Sequence, residues 1–564
     1  MKKILMILLV LTMLCSITAC NKTEETGGGK VSGHVTIGTP NFNGDFIDGW
    51  GNNSYDGSIR KFVFGGASNS PAGLMTSNIK GEIVLNSITD SRETSDDGLV
   101  HTFKLKPDLV YSDGTPLTAD DVVFTYKFYL DADAITEAGG STDYPEYLEK
   151  VEKVDDLTVK FTLLDKYYAT DSLVFIENII CEEWATKDKP EDKTIQQHVK
   201  DSLINNPLGY GPYKIVEYKE NQYVKLTVND KFIGDVDGDK PKIKDVIVKV
   251  ISEETKLDEL LTGNVDVLPG SVKAENIDAV KADSDKFSFC HYPRQGYGHL
   301  TFHNDFAPVN HKEVRQAICY TIDRKIFREA FLGKYSVSTD GPYTLNYWMI
   351  DEKWVDDNLN KYTANKEKVD EILSGAGWAK GSDGIWAKGD EKLEIEVLVP
   401  GQDWADCLNL TIGKTGEEYG IKFNISLIDW AIFLNHYYGK EISDINERKY
   451  HMFALASSPA IVFDGYGSWH SDNVASPWGS AISANTARFV NAKNDELLMT
   501  MRTADSDEIY QKAYREWVKL TNEEMPILPL YSNDYHDLYN KRIKGFETNA
   551  FWDWVPALIK CTVK

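Results

Sequence analysis

The stretch FKLKPDLVYSDGTPLTADDVVFTYKFYL, residues 103–130, sets a strand, a tight turn and a capped helix in close succession. Phe103 and Leu105 alternate with Thr102, Lys104 and Lys106, the period of a half-buried strand. Ser112, Asp113 and Gly114 followed by Pro116 supply turn chemistry, because glycine accepts positive φ and proline fixes φ. Thr118 with Asp121 three residues on is close to a capping box. It opens a helix over 118–131 with Val122, Tyr126 and Tyr129 on one face. This unit points to an α/β chain and names no activity.

Working outward, 564 residues are too many for one simple domain and enough for two or three lobes with real cores. A composition of 42% hydrophobic and 12% aromatic residues is that of a folded globular protein. The formal charge is −26, and −28 once Lys2 and Lys3 leave with a leader. Such a surface repels phosphate backbones and anionic headgroups, so nucleic acid is a poor partner. No repeat of 20–50 residues is visible, which argues against a solenoid.

Residues 1–19 read as a signal peptide: Lys2 and Lys3 form a basic start and 4–14 an apolar run too short to span a membrane. The segment ends Ile17-Thr18-Ala19-Cys20, which looks like a bacterial lipobox with Cys20 as the lipidated residue. Residues 20–30 are then a lipidated polar tether. With Cys15 removed and Cys20 acylated, Cys181, Cys290, Cys319, Cys407 and Cys561 remain. There is no CxxC pair and no Cys/His cluster, so zinc is unsupported; the odd count leaves at least one thiol free or paired with another chain, and one disulfide in an exported protein would have a pairing the sequence does not choose.

The body opens with a short strand, VTIG, and a Gly/Asn/Asp-rich loop over 39–51. Residues 82–85 and 100–105 read as a hairpin around 90–98, and 154–164 as one alternating strand. Asn310 with Glu313 opens one helix; Asp323 caps the next, with Ile326 and Phe327 inward. Residues 421–427 alternate cleanly. The tail reads as helices over 495–501 and 507–522 followed by PILPLY at 526–531.

Several of these blocks carry a resemblance. SDGTPLTADDV closely resembles the signature of the family 5 extracellular solute-binding proteins of ABC importers, the oligopeptide- and dipeptide-binding group. Gly209, Gly211, Pro212 and Tyr213 match its Gly-x-Gly-Pro-Tyr turn, and Gly263 with Asp266 its helix–Gly–Asp element. Asn304, Pro308, Val314, Arg315, Ala317, Ile318, Ile322, Asp323 and Arg324 match a third block, expected to be scaffold, and 526–531 a fourth. The resemblance implies an α/β fold of the type II, class C periplasmic-binding-protein kind: two lobes around a hinge cleft plus an inserted third domain. It divides the chain into a discontinuous first lobe (31–66, 200–289 and 526–564), an insert (67–199) and a second lobe (290–525).

The resemblance also implies where ligand sits. It puts Phe42 and Asn43 on a loop near the cleft and Trp430 at the cleft itself. Peptide binders of the family carry a Trp-x-x-Asp segment whose aspartate pairs with the peptide's α-ammonium. Here Ser457 and Ala460 stand at those places, and Asp464 is the nearest acid. Among 13 Trp, 29 Tyr and 23 Phe, Trp430, Trp469 and Trp404 are the aromatic candidates for a pocket holding an extended polar ligand.

Catalysis finds little footing. There is no G-x-S-x-G and no H-E-x-x-H, and His470, Ser471 and Asp472 are neighbours whose side chains diverge. His299 and His303 on one strand stand roughly 13–14 Å apart, too far to share a metal. Asp235, Asp237, Asp239 and Asp245 echo a calcium loop but lack the glycine and closing glutamate of one. The expectation is therefore a monomeric, lipid-anchored binding protein with no cofactor, facing outward from a bacterial membrane. It would capture oligopeptides for a permease; oligosaccharide capture and a secreted hydrolase are the alternatives.

Overall fold

The computed structural model describes residues 31–564 except 52, 69, 440–443 and 475–484. The leader 1–19, Cys20 and the rest of the tether lie outside the described residues. No helix among the described residues is long and apolar enough to cross a membrane.

A 12-stranded sheet runs through the molecule. In chain order its strands are β1 (His34–Thr39), β2 (Tyr213–Lys219), β3 (Tyr223–Val228), β4 (Asp245–Val250), β5 (Val267–Ser271), β6 (Phe287–Pro293), β7 (Tyr297–Phe302), β8 (Ser336–Val337), β9 (Glu394–Val399), β10 (Lys422–Leu427), β11 (Met452–Ser457) and β12 (Ile527–Asn540). The spatial order is β2-β3-β4-β1-β5-β12-β7-β11-β9-β10, with β6 and β8 also on β12. β1 lies parallel to both β4 and β5, and its Val35 and Ile37 are fully buried. β9 likewise runs parallel to β10 and β11. Central parallel strands covered on both faces read as apolar runs, as Val397–Val399 at the end of β9 (EIEVLV) do.

β12 belongs to both halves of this sheet. Its first residues, 527–531, pair antiparallel with β7, and 534–540 pair with β6. The chain therefore crosses between two lobes at 532–534, inside the strand, and a second time at 293–297, between β6 and β7. Two short extended crossings leave the lobes free to rotate about one line, the geometry of a hinge. Separate apolar cores flank it, one containing Val35, Phe62 and Val248, the other Leu300, Val397 and Leu528.

Two helices begin at the site, α1 (Ser54–Phe64) and α5 (Trp554–Lys560), and three others lie away from it: α2 (Ala119–Leu130), α3 (Trp430–Tyr438) and α4 (Asp507–Glu524). α2 starts as the sequence predicts. Thr118 and Asp121 form both halves of the capping box, and Val122, Tyr126 and Tyr129 are buried. Such a cap is worth about 1 kcal/mol. The neighbouring strands differ from expectation. Residues 154–164 are not one strand, because Leu148–Asp155 and Thr158–Leu163 form a hairpin turning at 156–157. Ile83–Leu85 pairs with Met75–Ser77, while Val100–Leu105 pairs with Thr89–Thr94 around the turn at 95–98. Alternation reports burial, and a two-residue turn inside an alternating run leaves the pattern unbroken.

The four-stranded sheet of this inserted region is separate, yet its core is continuous with that of the first lobe: Phe103, Tyr126 and Phe161 share one cluster with Phe62, Tyr213 and Trp554. A backbone hydrogen bond crosses the join: Ser112 N–H donates to the Gly209 carbonyl at 2.9 Å, while within the first lobe Gly211 N–H donates to Val63 O at 2.7 Å. A Cβ on Gly209 would come within 2.0 Å of that Val63 oxygen, so glycine is required for the backbone to approach α1.

In the second lobe Asp323 caps Arg324–Leu332 as expected, accepting from Lys325 and Ile326 N–H. Phe327 points inward but Ile326 is 47% exposed. The preceding helix starts at Lys312 with His311 at the cap position, so Asn310 does not cap it. Arg315 and Arg324 are buried and donate to backbone carbonyls, including Glu524 O and Tyr362 O, which is scaffold work. The five described cysteines are all free thiols.

Candidate functional site

A cavity of about 700 Å³ opens between the lobes beside the two crossings. One wall is the start of α1: Asn53, Ser54, Tyr55, Gly57, Ser58 and Lys61. Asn53 caps this helix through its Oδ1, 2.9 Å from Tyr55 N–H, which aims the positive end of the helix dipole at the cavity. The facing wall is Ala456 and Ser458 at the end of β11, and the back is formed by the crossings themselves, with Tyr292, Arg294, Gln295, Tyr535 and Asp537. Trp554 at the start of α5 closes one end. The wall combines aromatic rings with neutral hydroxyls and amides, suited to an extended polar molecule.

Its charged groups differ in how far they are committed. Lys61 pairs with Asp553. Arg60 donates to Asp45 O and lies 3.4 Å from Asp48. Asp537 is fully buried and accepts three hydrogen bonds, from Gly270 N–H (2.7 Å), Tyr292 OH (3.1 Å) and Thr548 OH (2.6 Å). Burial pushes its carboxyl up to about 6 against the pull of those three donors. Arg294 differs: its guanidinium donates to Ser458 Oγ at 3.1 Å and lies 5.6 Å from the Tyr535 ring centre, and its buried Nε has no partner. No carboxylate among the described residues pairs with it.

None of the six residues selected from sequence lies on this wall. Phe42 is 1% exposed, packed against Phe46 and Tyr218 in the first lobe's core. Asn43 is exposed and spends its backbone N–H on Asp56 at 3.0 Å. Trp404 packs on Phe331 and Tyr531, and Trp469 edge-on against Trp517. Trp430 is 47% exposed and stacks on Phe433 in α3. Asp464 is buried beside Arg502, with its Oδ1 accepting from Tyr466 N–H. The Ser457–Ala460 segment does reach the cavity, through Ser458, and brings no acid to it.

Sequence reasoning missed Arg294, Gln295 and the start of α1. The signals were present: Asn53 ahead of the apolar run in 59–64, and Arg-Gln-Gly breaking the strand pattern between 287 and 302. The aspartate loop does gather Asp235, Asp237 and Asp239 closely enough to hold a cation. Lys560 already occupies that charge, at 2.7 Å from Asp237 and 3.3 Å from Asp239.

A family model described as bacterial extracellular solute-binding proteins, family 5 Middle, matches residues 82–478. The chain is 25% identical over 478 residues to the oligopeptide-binding protein AppA of Bacillus subtilis, covering 82% of this chain and 80% of that one. It is 23% identical over 481 residues to the dipeptide-binding protein of Escherichia coli, covering 82% and 83%. Among solved structures, AppA from Bacillus subtilis in complex with a nonapeptide superposes with a TM-score of 0.75 at 20% identity, over 95% of this chain and 100% of that one. NikZ from Campylobacter jejuni in complex with Ni(L-His) gives 0.75 at 21% identity, over 94% and 99%.

Proposed function

The chain belongs to the bacterial extracellular solute-binding proteins of family 5, and on that premise we propose that it captures oligopeptides between its lobes and delivers them to the permease of an ABC importer. The observation that carries this reading is the roughly 700 Å³ cavity walled by both lobes beside two strand crossings. A ligand touching both walls binds the closed arrangement better than the open one and so shifts the hinge equilibrium, which gives a permease a ligand-dependent surface to read. AppA, similar over most of the chain, was solved with a nonapeptide. Capture with no chemistry on the ligand is part of this proposal.

The layout proposed with it is a first lobe of 31–66, 200 to the 293–297 crossing and the later part of β12 onward, an insert of 67–199 sharing that lobe's core, and a second lobe between the 293–297 and 532–534 crossings, which moves the expected boundaries at 289/290 and 525/526 to the strand pairings. The body is proposed to be monomeric and held at the outer face of the cytoplasmic membrane by lipid on Cys20, since two acyl chains anchor stably where one does not. Cys20→Ala should release it into the medium; continued membrane retention would contradict the anchor.

A second reading, oligosaccharide capture, draws on the rings of Tyr55, Tyr292, Tyr535 and Trp554 around the cavity. Native purification followed by mass spectrometry of the released ligand separates the two. An unmodified peptide supports the proposal, a glycan replaces it with the second reading, and turnover of either class would show an enzyme instead.

A further inference from the structure

Building on the capture of peptides in this cleft, we infer that Arg294 is the specificity-determining anchor of the cavity: it pairs with a carboxylate of the ligand, and the ligand's amino terminus is left without a charged partner. Three cations and two carboxylates line the cavity, in a chain whose formal charge is −26. Two of those cations are already spent, Lys61 on Asp553 and Arg60 on Asp48 and two backbone carbonyls. Arg294, the third, has two hydroxyls, Ser458 and Tyr531, and the Tyr535 ring beside it, and no carboxylate among the described residues. A guanidinium presents a planar fork of donors that a carboxylate fills with two parallel hydrogen bonds, and here the Nε side of the fork is buried beside Gly296, leaving the terminal nitrogens for the cavity.

The rest of the wall agrees in sign. The start of α1 presents a helix N-terminus to the same space, which favours negative charge. A ligand ammonium finds no equivalent. Asp553 is neutralised by Lys61, and Asp537 has no exposed surface and already holds three donors on its carboxylate. Gln295, 5% exposed beside Arg294, donates through Nε2 to Ala460 O while its Oε1 has no partner. The ligand class is therefore a peptide recognised through a carboxylate, with a blocked or remote amine.

Two synthetic peptide libraries of equal length test this by calorimetry: one N-acetylated with a free carboxyl terminus, the other with a free amine and an amidated carboxyl terminus, both without acidic side chains. The wild type should bind the first about 30-fold or more tighter than the second, the range for one partner of a buried charge pair. Arg294→Gln should abolish that preference, and Arg294→Lys should restore part of it, because charge returns without the fork. Unliganded thermal denaturation of the variants, unchanged from wild type, shows that they fold. Equal affinity of the wild type for both libraries, or a preference that survives Arg294→Gln, overturns the anchor. Uronic-acid oligomers serve as a third probe: if they bind in an Arg294-dependent way and no peptide does, peptide capture fails while the anchor stands. Absence of binding by every carboxylate-bearing probe overturns the anchor itself.

Discussion

Asp464 and Arg502 lie 3.6 Å apart, both almost fully buried, and this pair faces the inserted region instead of the ligand cavity. Arg502 ends the helix Ala492–Arg502 and reaches out of the second lobe among the rings of Tyr147, Tyr167 and Tyr466, with Glu146 at 3.7 Å. The carboxylate that sequence resemblance marked for a ligand's ammonium is thus spent on an arginine of the protein itself.

Removing Arg502 strands the buried Asp464 charge. Breaking one side of a buried pair costs about 3–5 kcal/mol, whereas removing both charges costs far less. Arg502→Ala should therefore destabilise by about that amount, and Arg502→Ala combined with Asp464→Asn should recover most of it. Urea denaturation of the three proteins checks this. A double variant no more stable than Arg502→Ala would mean the pair carries no coupled energy.

Near this pair, Tyr168 of the insert stacks on Tyr510 of α4 with ring centres 4.0 Å apart, and its hydroxyl donates to Asp507 at 2.9 Å. Lys166 reaches Asp505 at 2.7 Å. These contacts join insert to second lobe away from the two crossings, so they favour the lobes-together arrangement over an opened one. An aromatic pair plus a charge-assisted hydrogen bond is worth about 2 kcal/mol or more. Tyr168→Ala should raise the ligand-free radius of gyration in X-ray scattering and speed release of the co-purified ligand about 10-fold or more. Identical scattering and release would remove any role for this contact in closure.

The two glycine environments near the signature stretch make contrasting predictions. At Gly209 an added methyl meets backbone, 2.0 Å from Val63 O and 2.7 Å from Val63 C, so neither side can yield. Gly209→Ala should cost about 3 kcal/mol or more. At Gly114 nothing lies within 4 Å, and only its positive φ of 102° opposes a side chain. Gly114→Ala should cost about 1–2 kcal/mol. Denaturation midpoints of the two variants order them, and a milder Gly209→Ala would contradict the close approach of this turn to α1.

What the sequence made legible follows the physics of each signal. The capped helix α2, the Asp323 cap and the alternation of β1 and β10 are local: the residues that cause them are neighbours in the chain. The cavity is not local. Its wall draws on 53–61, 67–71, 269–270, 292–295, 456–458, 535–537 and 550–554, and each piece alone reads as a cap, a strand end or a loop. Aromatic richness misled for a related reason. Most large rings serve cores, as Trp469 and Trp404 do, and composition does not separate a ring in a core from a ring on a wall.

Asp537 gives the hinge strand a pH dependence of its own. Its carboxyl, fully buried in β12, is pushed up to about 6 by loss of hydration, from an ordinary value near 4. Between those two values the folded state holds a proton that the unfolded chain has released. Stability from this group is therefore full below pH 4 and is lost as pH rises through 6. By pH 7 the loss is about 3 kcal/mol, because each pH unit between the two values withdraws about 1.4 kcal/mol. The histidines act in the opposite sense: burial lowers His101, His451 and His536 to about 4, so each withdraws stability as pH falls below 6.5. Subtraction isolates the aspartate. Asp537→Asn keeps the shape and accepts through one oxygen, while the Tyr292 and Thr548 hydroxyls can rotate to accept from its new N–H₂. The stability difference, variant minus wild type, should rise from pH 4.5 to about pH 6 and level off above about pH 7 in urea denaturation at fixed ionic strength. A difference that stays flat across that range would show that Asp537 titrates like an exposed carboxyl, and that its three donors fully offset its burial.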